Sequence, residues 1–117
     1  MPFQSLLDGL IDDVPGARAA LLLDVTGEVV MESGTRDDRH RLVGAYQGIA
    51  LGEAQRSAAR HGAGPVRELV SRYEQGYVIL QPLKDGYYLV LVLGSGASVA
   101  LGRHLLGPTQ ARIKREL

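Results

Sequence analysis

The chain has 117 residues, close to the usual size of one domain, and a 45% hydrophobic content that can fill a proper core. Its thirteen basic and thirteen acidic side chains cancel, so it lacks the basic excess on which nucleic-acid affinity rests. With no cysteine, it can form no disulfide, no thiolate metal site and no cysteine nucleophile.

The opening stretch "MPFQSLLDGLIDDVPG" has no basic lead and carries three aspartates, which is not the pattern of a signal peptide. Phe3, Leu6, Leu7, Leu10, Ile11 and Val14 instead follow helical spacing, with Gln4, Ser5, Asp8, Asp12 and Asp13 on the other side. Pro15-Gly16 stops this helix. From Ala17 to Asp24 the chain is apolar on both pleat faces after Arg18, as in an interior strand covered on both sides. Glu28 to Glu32 is a second strand, and the short link Val25-Thr26-Gly27 makes the pair a hairpin.

Asp37 or Asp38 then caps a long helix that runs to about Arg60 and ends at "HGAGP". Val66 to Tyr73 reads as the least apolar strand, suited to a sheet edge. Tyr77 to Gln81 is the next strand, followed by a turn at Lys84-Asp85-Gly86. "YYLVLVL", Tyr87 to Leu93, is the most apolar strand and is expected at the centre; it is far too short to span a bilayer. A last helix starts near Ser98 with Val99, Leu106 and Ile113 on one face, and Gly107-Pro108 predicts a kink or a break. The expected fold is α+β in the order helix, two strands, helix, three strands, helix. It places helices on both faces of a mostly antiparallel five-stranded sheet, as one domain over residues 1–117.

Chemistry-bearing motifs are sparse. Asp24 leaves an apolar strand and is followed by Val-Thr-Gly, but an acid protease needs a second, opposed aspartate, and no other acidic motif accompanies it. A turn aspartate with Gly27 taking a positive φ accounts for the stretch. Gly94-Ser95-Gly96 lacks the third glycine of a dinucleotide loop, and no phosphate-binding Gly-Lys-Ser/Thr sequence exists. His40, His61 and His104 stand apart, and Asp37, Asp38 and His40 read as capping and solvated charge rather than a metal site. No catalytic residue, cofactor or metal ligand is expected, and the protein is read as a non-enzyme.

"LVGAYQGIALG", Leu42 to Gly52, is the informative segment. It holds no charge and is apolar on two sides, so both sides are expected to be covered. Gly44, Gly48 and Gly52 recur every four residues, each at about 1 kcal/mol against alanine in a helix. The groove they make can rest on the chain's own sheet or admit another helix. We take the second as the working expectation: the same helix of a second copy. The interface is expected to involve Val43, Gly44, Gln47, Gly48, Leu51, Gly52 and Gln55. Beside it, Val66, Glu68, Val70 and Arg72 on the edge strand would extend the sheet between copies.

With "VPGARAALLLDVTGEVV", the small-residue middle helix and "YEQGYVILQPLKDGYYLVLVLGSGASVALGR" in this order, the chain resembles the Roadblock/dynein light-chain family, in particular its bacterial, MglB-like members. The N-terminus and the short apolar runs point to a soluble cytoplasmic protein, and the resemblance implies a homodimer with paired middle helices and a continuous sheet. It also implies binding to a small Ras-like GTPase, whose hydrolysis or location is regulated in a polarity, motility or signalling system. It carries over no catalytic arginine, while the balanced charge and short apolar runs leave no nucleic-acid partner and no membrane insertion expected. The alternative is a small-ligand sensor of the profilin, PAS or GAF kind, which would need a pocket.

Overall fold

The computed structural model describes residues 2–117. Its elements are α1 (Pro2–Asp13), β1 (Ala17–Leu23), β2 (Val29–Gly34), α2 (Asp38–His61), β3 (Leu69–Tyr73), β4 (Gly76–Pro82), β5 (Tyr88–Gly94) and α3 (Val99–Glu116). The five strands form one sheet in the order β2-β1-β5-β4-β3, and every neighbouring pair is antiparallel. The apolar β5 is central and β3 is at an edge, as the residue patterns predict.

Alternation along the interior strands sends side chains to two cores. On one face Ala20, Leu22, Ile79, Leu89, Leu91 and Leu93 pack with Phe3, Leu7, Leu10 and Val14 of α1 and with Leu106 and Ile113 of α3. On the other, Ala19, Leu21, Leu23, Val78, Leu80, Tyr88, Val90 and Val92 lie under α2, which contributes Leu51 as its buried large apolar residue. Burial on both faces explains why β1 and β5 read as unbroken apolar runs.

Local chemistry sets the connections. The β4–β5 turn places Asp85 and Gly86 at φ +58° and +81°, the positive pair a tight hairpin with right-handed strand twist requires. Asp37 caps α2 by accepting from the Arg39 amide at 2.9 Å, and Gly62 closes its far end in the left-handed conformation. Ser98 caps α3 through the Leu101 amide.

Two expectations are corrected. Of the kink or break expected at Gly107-Pro108, the break is absent: α3 continues to Glu116, because Leu106 and Ile113 are both fully buried on the same face and anchor the helix on either side of the proline. β3 begins at Leu69, not Val66, because the backbone of Val66 is already engaged: its amide donates to Gln55 Oε1 at 2.7 Å and its carbonyl accepts from Gln55 Nε2 at 3.1 Å.

Candidate functional site

Asp24 shapes the β1–β2 turn. Its Oδ1 accepts from the Thr26 hydroxyl at 2.6 Å, the Thr26 amide at 2.9 Å and the Glu28 amide at 3.1 Å, while Gly27 takes φ +86°. These donors, the Thr26 hydroxyl first, hold its carboxyl below the ordinary range. Gly94-Ser95-Gly96 is a tight strand-to-helix turn closed by the Ala97 amide on the Gly94 carbonyl. Asp37 is spent on capping and on Arg39, whose guanidinium is the main cause that draws its pKa down to about 2. Among the described residues, no group of three His, Asp or Glu side chains is placed to hold a metal ion.

The glycine stripe of α2 has a different orientation from the expected one. Gly44 faces Leu23, whose Cδ2 would lie 3.2 Å from a Cβ there, and Gly48 faces the hydroxyl of Tyr88. Gln47 and Leu51 lie on this same inward side and are buried, and Val43 packs against the same core. The groove that these residues form is therefore occupied by the chain's own sheet, which corrects the expectation that it opens toward a second helix. The glycines let α2 sit close enough for Tyr88 to donate to the Gly44 carbonyl at 3.2 Å. Gly52 meets the Arg56 side chain of its own helix.

The glutamines join α2 to the edge strand. Gln47, 6% exposed, donates to the Tyr73 hydroxyl at 2.5 Å and accepts from the Ser71 hydroxyl at 3.2 Å. Gln55 clamps Val66 as described. Glu68 lies before β3 and holds Gln81 and Arg103 of α3, so Val66 and Glu68 anchor the strand rather than form its open rim. Val70 and Arg72 are exposed on β3, which has a strand neighbour on one side only.

The outward side of α2 is where exposed apolar surface collects. Leu42, Tyr46 and Ile49, at i, i+4 and i+7, are 57%, 67% and 62% exposed. Full burial of such side chains is worth about 1.5–3 kcal/mol each. A 24-residue helix thus turns two glycines and a glutamine to its own core and three large apolar residues to solvent. Tyr73 of β3, bonded to Gln47, adds a further half-exposed ring. The sequence showed that α2 was apolar on two sides; it took the partners of Gln47 to decide which side was inward.

Two apolar cores thus flank one antiparallel sheet, with a long helix alone over one face and two helices over the other. Residues 3–93 match the Roadblock/LC7 domain, and the chain belongs to that family. Among solved structures it is similar to a Roadblock/LC7 domain from Streptomyces avermitilis, at 21% identity and TM-score 0.86, covering 97% of this chain and 95% of that one. Myxococcus xanthus MglB superposes with TM-score 0.86 at 14% identity, over 98% and 94% of the two chains. An MglB with a tetrameric arrangement gives 0.86 at 19%, over 97% and 86%. No curated protein sequence matches the chain.

Proposed function

We propose that this protein is a non-enzymatic, self-associating scaffold that binds and regulates a small Ras-like GTPase. The observation that carries the reading is the outward stripe Leu42-Tyr46-Ile49 on a helix of a Roadblock domain. Apolar area of this kind on a rigid element marks a contact surface. A two-fold axis satisfies it most simply, because one patch then covers itself. The open edge of β3 lies beside it and is tied to it through Gln47 and Tyr73, so pairing of two β3 edges is compatible with pairing of two α2 helices. Val70, Arg72 and Gly52 remain in the proposed interface, and the helix contribution moves from the glycine side to Leu42, Tyr46 and Ile49.

The GTPase enters through the family resemblance. The test is capture of a Ras-like GTPase from the same genome, loaded with GDP or with a non-hydrolysable GTP analogue, on the immobilised full chain. The reading expects nucleotide-dependent capture that is lost in Ile49→Glu. Equal or absent capture in both nucleotide states contradicts it.

A further inference from the structure

A cavity of about 430 Å³ opens between the first turn of α2, the start of β1 and the β3–β4 turn. Its volume falls within the range of small-molecule sites, roughly 300–1,000 Å³. Its floor is apolar: Val78 and Val92 from the sheet and Val43 from α2 line it and pack in the core beneath that helix.

The polar groups above this floor are unevenly committed. Asp37 is the acidic residue lining the cavity, and it is already engaged by the guanidinium of Arg39 and the amide that caps α2. Arg18 lies over Gly94, where an added Cβ would be 3.1 Å from its Nε, and its guanidinium has no hydrogen-bond or ion-pair partner among the described residues. His40 also lines the cavity, and its Nδ1 is shut off from solvent without a hydrogen-bond partner among the described residues. That nitrogen has no accessible surface, so His40 contributes to the wall rather than supplying a donor. One free guanidinium therefore stands over an apolar floor, with His40 in the same lining.

We propose that this cavity binds a small organic carboxylate. A guanidinium presents two parallel N–H donors matched to the two carboxylate oxygens. The short apolar body of the ligand then lies against Val43, Val78 and Val92. Asp37 disfavours a multiply charged anion at the same place, because a like charge nearby opposes it. The inference does not rest on the GTPase reading, since it concerns a small molecule in a cavity lined by this chain's own residues.

The test is a nuclear magnetic resonance titration of the full-length protein with acetate, butyrate, butyramide and inorganic phosphate at constant ionic strength. The expected result is a saturable shift of the His40 ring nitrogens and the Val92 methyls with butyrate. Binding should be weaker with acetate and lost with butyramide, while His61 and His104 stay still. Arg18→Gln changes an exposed side chain and should keep the fold while weakening butyrate by roughly tenfold or more. Equal binding of the amide, phosphate binding as tight as butyrate, an unchanged affinity in Arg18→Gln, or no saturable shift would each overturn the proposal.

Discussion

The hydroxyl of Tyr88 occupies the space above Gly48 that the Cβ of any other residue would fill, and it donates to the Gly44 carbonyl one turn earlier in α2. Tyr88 is 3% exposed and cannot swing into solvent without opening the layer. Gly48→Ala, which raises helix propensity by about 1 kcal/mol on a free helix, should here lower stability by about 1–3 kcal/mol through overpacking. The loss should appear in urea denaturation at every protein concentration. Adding Tyr88→Phe should recover part of it, because the two residues share one space and their effects are coupled.

Gln47 joins α2 to the edge strand from a buried position. Gln47→Leu keeps the bulk and strands the hydroxyls of Ser71 and Tyr73, so a cost of about 1–3 kcal/mol is expected. Hydrogen exchange should rise first in Leu69–Tyr73. Unchanged protection there would mean that β3 is held by its pairing with β4 alone.

Pro108 sits inside α3 and is exposed, with no N–H for the helix ladder. Pro108→Ala should stabilise the protein by about 1–3 kcal/mol in chemical denaturation. A loss of stability would show that the ring makes a contact that the helix needs.

These positions also mark what the sequence revealed and what it did not. Periodicity placed α1, because its apolar positions are all on one side. The unbroken apolar runs of β1 and β5 identified the interior strands. The direction of α2 was not legible, since Leu42, Tyr46 and Ile49 form as good a face as Val43, Gln47 and Leu51. The choice rests on Ser71 and Tyr73, more than twenty residues away in the chain, which bond the polar member of the inward face. The start of β3 was hidden for the same reason: Gln55 takes over the Val66 backbone from a distance. At Pro108 a local rule was overruled by tertiary packing of Leu106 and Ile113. The cavity at Arg18 and His40 joins residues from separate elements, and no spacing in the sequence marks it.

Asp24 and Asp37 are both held below the ordinary carboxylate range, by the Thr26 hydroxyl and by Arg39 respectively. A depressed native pKa stabilises the fold above the unfolded value of about 4, and the contribution is lost as pH falls through the native value. Asp8, through Ser33, and Glu32, through Arg41, are shifted in the same direction and share the slope. Stability should therefore fall as pH drops from about 4 toward 2. Carbon-13 titration should place the Asp37 midpoint near 2, against the ordinary value of 3.8. Asp24→Asn should keep the fold and any binding activity, because its amide oxygen can accept the same turn bonds. Loss of function in a folded Asp24→Asn protein would reopen a chemical role for this residue.

The most direct test of the scaffold reading is sedimentation equilibrium of the wild type and Ile49→Glu across a micromolar concentration series. Ile49 is solvent-facing within one copy, so the substitution should change the stability of the isolated fold by no more than about 0.5 kcal/mol. At an apolar two-fold contact it would instead place two like charges together. The account predicts a wild-type dimer and an Ile49→Glu monomer with the same circular dichroism. A wild-type monomer throughout the series, or an Ile49→Glu dimer of undiminished affinity, would contradict it.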